Sequence, residues 1–191
     1  MNKAKLFSGI VVVIAVGAGI FFLSGNKGSA PIEPAAPVVS EGQSVFDAKN
    51  ATYIVEGKSV TLVNGVAEVE AAPGSTSKII TRYFGNEATG DLNSDGLPDM
   101  AFLITQEGGG SGLFYYAVVA LKREQGYTVT NVFFVGDRIA PQTTEINESA
   151  QELYVNYAER KPDEPMTAQP SVGVTLLLKV TSEGVLNGLM Q

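Results

Sequence analysis

The chain of 191 residues contains no cysteine and no histidine. Without cysteine there is no disulfide framework, no thiolate metal site and no residue to carry a lipoprotein acyl chain. Without histidine the usual general base is missing, together with the commonest zinc and copper ligand. Basic residues are few, 13 against 20 acidic ones, which gives a formal net charge of −7. Residues 1–48 hold three lysines and three acids, so the whole excess belongs to the remainder. An acidic domain has little with which to neutralise phosphates, and nucleic acid is not an expected partner. The charge serves solubility.

What the sequence does have begins at its N-terminus. Leu6 to Leu23 is an uncharged run of 18 apolar and small residues, preceded by Lys3 and Lys5. A membrane-spanning helix needs about 20 such residues. A cleaved signal sequence has a shorter apolar core and a small-residue cleavage site. The best such site ends at Ala30, where Pro31 would hinder cleavage. The run therefore reads as an uncleaved anchor, residues 1–23, with secretion after cleavage as the alternative. The lysines place the N-terminus in the cytoplasm and the rest of the chain outside. Residues 24–48 are rich in Pro, Ala and Gly and lack any period, which describes a linker.

From Lys49 the pattern becomes that of β structure. The stretch "ATYIVEGKSVTLVNGVAEVEA" holds three short strand-like runs, separated at Glu56-Gly57-Lys58 and at Asn64-Gly65. Asn-Gly between alternating runs is a strong hairpin signal. "SKIITRYFG", "MAFLITQE", "LFYYAVVALKR", "GYTVTNVFFVGD", "TTEINES", "ELYVNYAER" and "SVGVTLLLKVTSEG" continue the series. No segment shows a capped helical period. The expectation is a mainly β domain over residues 49–191, an antiparallel meander forming a sandwich or a partly closed barrel. "FYYAVVAL" is apolar on both faces, so one sheet should be covered on both sides. Arg160 to Ser171 carries three prolines and should be an ordered surface loop.

The stretch most suggestive of chemistry is "GDLNSDGLPDMAFL", Gly90 to Leu103. Asp91, Asn93 and Asp95 stand at alternate positions, Gly96 follows, and Asp99 precedes an apolar strand. Alternate side chains of a curled loop can converge on one cation. Gly96 permits the sharp turn, and Leu97 can offer its backbone carbonyl. Calcium takes six to eight oxygen ligands of these kinds. The EF-hand pattern matches over six positions, but its closing glutamate is replaced by Phe102 and strands flank the loop. The same spacing also suits a polar turn in which Asp and Asn satisfy the backbone.

"FGNEATGDLNSDGLPDMAFL", Phe84 to Leu103, resembles the calcium loop of FG-GAP-type repeats, in which a D-x-[DN]-x-D-G-x-x-D loop joins two strands. That resemblance implies calcium ligation through Asp91, Asn93, Asp95 and Asp99. The repeats of that family come in series, whereas this chain has one copy. The stretches "RYFGNEATGDLNSDGLPDMAFL", "GDRIAPQTTEI" and "VNYAERKPDEPMTAQPSVGV" resemble a group of exported bacterial domains, some of which precede a META domain. No activity comes with that group. An affinity of about 10⁻⁴–10⁻³ M suits such an extracellular site.

Other candidates are weaker. "GGGSG", Gly108 to Gly112, lacks the lysine and the helix of a phosphate cradle and reads as a hairpin tip. Ser111 has no histidine to activate it. Arg160, Lys161, Asp163 and Glu164 read as a solvated cluster. Tyr115, Tyr116 and Tyr154 read as strand packing. The expected function is a non-catalytic, membrane-anchored module with a structural calcium ion and a partner at the cell surface. The alternative is an extracytoplasmic hydrolase whose aspartates hold a catalytic metal.

Overall fold

The computed structural model describes residues 45–189. The apolar run and most of the linker lie outside the described residues. Twelve strands follow in chain order: β1 (Thr52–Val55), β2 (Lys58–Thr61), β3 (Val66–Glu70), β4 (Lys78–Gly90), β5 (Asp99–Gly108), β6 (Phe114–Lys122), β7 (Tyr127–Val129), β8 (Phe133–Asp137), β9 (Ala140–Asn147), β10 (Glu152–Glu159), β11 (Val172–Val180) and β12 (Leu186–Gly188). A single 3-10 turn, Ala48–Asn50, precedes them. No α-helix occurs among the described residues.

Among the described residues all pairings are antiparallel, and no sheet closes on itself. One sheet has the order β3-β4-β5-β6-β7, with β8 also pairing β6. A second has the order β12-β11-β10-β9, and β1-β2 forms a separate hairpin. Neighbours in sequence are mostly neighbours in space, the meander expected of short turns. The turns use the residues that such turns need. Asn64 and Gly65 both have positive φ, 53° and 86°, as a tight hairpin of this kind requires.

β5 and β6 form the centre, and their two faces explain their unbroken apolar sequence. One face carries Ala101, Leu103, Tyr115, Ala117, Val119 and Leu121, which pack against Leu153, Val155, Tyr157 and Leu178 of the four-stranded sheet. The other carries Phe102, Ile104, Tyr116 and Val118, covered by Tyr53, Val55 and Val60 of the hairpin and by Leu62 just after it. A strand buried on both faces has no reason to alternate. The result is a layered sandwich in which the six-stranded sheet is covered on both sides.

Packing begins before the first strand. Phe46 stacks at 6.0 Å from Phe102 and 5.4 Å from Tyr127. Ala48 is buried, and its carbonyl accepts the Tyr53 hydroxyl at 2.6 Å. These residues sit ahead of Lys49, at the end of a stretch whose composition reads as linker. β4 also runs further than "SKIITRYFG", through Gly90, with register shifts between Tyr83 and Ala88. Gly85 and Asn86 take positive φ there and bend the strand. Residues 160–171 form the surface loop between β10 and β11. Arg160 fixes it by donating to the Ala168 carbonyl at 2.5 Å and the Arg138 carbonyl at 2.8 Å.

Candidate metal-binding loop

Residues 91–98 connect the end of β4 to the start of β5. Within this loop the side-chain oxygens turn onto the loop's own backbone. Asp91 Oδ1 accepts the Asn93 N–H at 3.2 Å, and Oδ2 accepts the Gly96 N–H at 2.8 Å. Asn93 Oδ1 accepts the Asp95 N–H at 2.9 Å. Asp95 Oδ1 accepts the Leu97 N–H at 2.9 Å. Three successive Asx turns therefore curl the chain, each linking a side chain to the amide two residues on. Gly96 has φ +80°, and a Cβ there would meet nothing within 4 Å. Its role is conformational, since a side chain would be strained although space is open.

Asp99 differs from the other three. It is fully buried, with Oδ2 accepting from the Leu92 N–H at 3.0 Å and Oδ1 from the Lys122 N–H at 2.8 Å. The carboxylate thus ties the start of the loop to the end of β6. Leu92, also buried, packs into the core between the two sheets and anchors the loop from within. Burial pushes the Asp99 carboxyl above its ordinary value. The Leu92 and Lys122 N–H groups oppose that shift, and nearby Asp95 and Asp91 add to it. Asp91 moves the other way: burial acts to raise it, but donation from the Gly96, Asn93, Ser94 and Asp95 amides holds it low.

Several partners of the loop come from distant sequence. Arg123 Nη1 lies 3.2 Å from Asp95 Oδ2, an ion pair that is partly exposed. Glu148 Oε1 accepts the Asp91 N–H at 3.1 Å, and the Gln151 amide donates to Ser94 Oγ. The β9–β10 turn approaches so closely that a Cβ on Gly90 would lie 2.8 Å from Ile146 Cγ2 and 2.9 Å from Glu148 Oε1. Any side chain there would force Ile146 and Glu148 to shift. Beside the loop lies a cleft of about 240 Å³, lined by Asn93, Asp95, Arg123, Thr181 and Ser182 among others. Nothing local to "GDLNSDGLPD" signals Arg123, which follows β6 beside β5, or Glu148, which comes from the turn of the other sheet.

Asp91, Asn93, Asp95 and Leu97 lie in this loop, and Asp99 is the first residue of β5. Among the described residues, no three acidic side chains already converge closely enough to hold a metal ion. The donor set is all oxygen, which suits a hard cation. A carboxylate or carboxamide oxygen that accepts one N–H retains a second lone pair. Ligation in this loop is thus compatible with its Asx turns, but Asp95 would have to leave Arg123.

The lesser candidates take structural roles. Gly108 to Gly112 lie at the β5–β6 hairpin tip, and Tyr115 and Tyr116 are buried packing. The Tyr116 hydroxyl donates to Glu56 at 3.0 Å, and Tyr154 donates to Glu152. Lys161 and Glu164 pair on the proline-rich loop, both partly exposed. Comparison of the chain with protein-family models, with curated proteins and with solved structures gives no match.

Proposed function

We propose that the chain is a non-catalytic interaction module, held at the outer side of the cytoplasmic membrane by residues 6–23, whose 91–99 loop takes one structural calcium ion. The observation that supports the calcium site is the curled loop itself. Asp91, Asn93 and Asp95 turn oxygens onto the loop's own amides, oxygen is the sole donor type, and Gly96 supplies the turn. Asp91, Asn93, Asp95, the Leu97 carbonyl and Asp99 would hold the ion. Bound there, calcium would supply positive charge among carboxylates that otherwise repel one another. The loop carries the chain into β5, a central strand of the core, so fixing it stabilises the junction of β4 with β5.

Asp95→Asn is the discriminating variant. An asparagine carbonyl still accepts the Leu97 N–H, so the Asx turn survives. Only the partly exposed pair with Arg123 is lost, at about 0–1 kcal/mol. Wild type at about 100 times the calcium Kd should gain about 2.7 kcal/mol. That corresponds to a rise of roughly 5–10 °C in melting temperature. Magnesium should give less, and Asp95→Asn should lose most of the calcium response while melting near wild type in chelator. Wild-type curves that superimpose in calcium, magnesium and chelator would remove the metal from the proposal. Placement at the membrane is checked separately. In intact cells stripped of outer barriers, external protease should digest the domain and leave a membrane-bound N-terminal fragment. Complete protection would place the domain inside.

A further inference from the structure

Among the described residues β3 is an edge strand, unpaired beyond Val66 on the side away from β4, and the chain's own hydrogen bonds show which residues face outward. The Ala71 N–H donates to Ser77 at 2.9 Å, and the Tyr83 N–H donates to Gly65 at 2.8 Å. Both pairs have the register of β3 on β4, in which Val66 faces Arg82 and Glu70 faces Lys78. Hydrogen-bonded pairs recur every second residue in an antiparallel ladder. Val69–Ile79 and Ala67–Thr81 are therefore bonded to β4, and the backbone groups of Val66, Glu68 and Glu70 face away from it. Val66 is returned to Val63 by a single bridge. The N–H and C=O of Glu68 and Glu70 have no backbone partner among the described residues.

The space beside that edge is a slot. β2 and β3 are consecutive yet belong to different sheets, and the segment between them is tied to the start of β3 by the antiparallel Val63–Val66 bridge. Beyond it they part around a cleft of about 250 Å³, walled by Val55, Val60, Val69 and Ile79 with Glu56 and Gln106. A second cleft of about 250 Å³ shares Glu56, Ile79 and Gln106 and extends to Phe114. The register explains the opening. Val69, Ile79, Gln106 and Phe114 lie on the hairpin-covered face of the sheet, but the hairpin stops at its Glu56-Gly57 turn. Val69 is left 45% exposed.

Charge then selects the occupant. Glu70 accepts the Gly74 N–H through Oε2 at 3.0 Å, Glu68 faces Ile80, and neither carboxylate is held in an ion pair among the described residues. Glu56 adds a carboxylate at the cleft, and Lys58 is the one cation lining it. Alternation puts Glu68 and Glu70 on the face opposite Val69.

We propose that the free edge of β3 is a strand-addition site for an extended peptide of alternating apolar and basic residues. Backbone groups of the peptide pair with Glu68 and Glu70. Its apolar side chains enter the cleft against Val69 and Ile79, and a basic side chain lies across from Glu68. Main-chain bonds give such recognition its affinity and the side-chain pockets its specificity. The inference rests on the interaction-module reading, for which it supplies a partner surface, and it is independent of calcium.

The test is titration of a capped six-residue Val–Lys alternating peptide into the full chain in detergent and chelator, alongside a Val–Glu peptide. Saturable binding of the Val–Lys peptide is expected, with exchange of the Glu68 and Glu70 amides slowed at least tenfold. Glu68→Pro removes an outward N–H without touching the β4 ladder, a position where an edge strand tolerates proline. It should melt as wild type and lose at least tenfold in affinity. Should that variant fail to fold, Val69→Asp places a charge in the cleft and has to lose the same binding. Absence of saturable binding, equal binding by Glu68→Pro or equal binding of the Val–Glu peptide overturns the proposal. A dimer abolished by Glu68→Pro would assign the edge to a second copy and overturn it too. Because chelator is present throughout, a failure here is separate from a failure of the calcium melts.

Discussion

Asp99→Ala is the sharpest test of how the loop is built. The substitution leaves the N–H groups of Leu92 and Lys122, now bonded at 3.0 Å and 2.8 Å, without their acceptor. Leu92 and Asp99 are both closed to water. A buried donor left unsatisfied costs about 1–3 kcal/mol, so two cost about 2–6 kcal/mol. Removal of a buried carboxylate offsets part of this, because burial and the neighbouring Asp95 and Asp91 disfavour its charge. A net loss of about 3 kcal/mol is expected, or roughly 6–12 °C in melting temperature. Asp99→Asn keeps one acceptor but turns an NH₂ toward the other amide, and should lose about half as much. The pH dependence has a defined sign. A carboxyl whose pKa is raised by folding contributes most below its unfolded pKa, and that contribution is lost as pH rises through the folded pKa. The stability difference between wild type and Asp99→Asn should therefore shrink as pH rises from the ordinary carboxylate range toward neutrality. Denaturant melts in chelator measure all of this. If Asp99→Ala is neutral in chelator and harmful only in calcium, Asp99 is a ligand and not a clamp.

Two further outcomes follow from contacts outside the loop. Arg123→Ala frees Asp95 Oδ2 from its pair at 3.2 Å; it should cost less than about 1 kcal/mol in chelator while raising calcium affinity about three- to tenfold by calorimetry, and a lower affinity would refute the competition. Gly90→Ala forces a Cβ to 2.8 Å from Ile146 Cγ2 and should destabilise by about 1–3 kcal/mol in denaturant melts, whereas an unchanged midpoint would mean that the β9–β10 turn yields freely.

The mainly β, antiparallel character was legible because its signals are local. Glu56-Gly57 and Asn64-Gly65 take the positive φ values that their composition permits, and strands follow where the apolar runs lie. The two-faced run at 114–121 correctly implied cover on both sides. What supplies that cover, a hairpin on one face and a second sheet on the other, depends on pairings that no short window contains. "NEATG" has no apolar run to mark a strand, yet it completes β4, because a bend at Gly85 and Asn86 lets a polar segment continue pairing with β5. β12 has three residues, "LNG", too few to show alternation. Phe46 and Ala48 look like the end of a linker until the face of β5 that they cover is known.

The loop marks a different limit, one set by chemistry. Oxygens at alternate positions suit a cation, because a curled loop turns every second side chain inward. They equally suit Asx turns, because an Asp or Asn oxygen reaches the amide two residues on. Asp91 to Asn93, Asn93 to Asp95 and Asp95 to Leu97 form that series here. A period of two in Asp and Asn therefore carries both meanings at once, and no closer reading of ten residues separates them. What separates them is non-local. Asp99 is held by an amide of β6, Asp95 by a guanidinium from beyond β6, and the Asp91 amide by a carboxylate from the β9–β10 turn. Each of those groups sets the energy that a cation must exceed before it can recruit an oxygen. Arg123 is the one of the three that brings a full positive charge to the place a metal would take. If the loop takes calcium as proposed, Asp95 can join the ion only by leaving a residue 28 positions away in the chain.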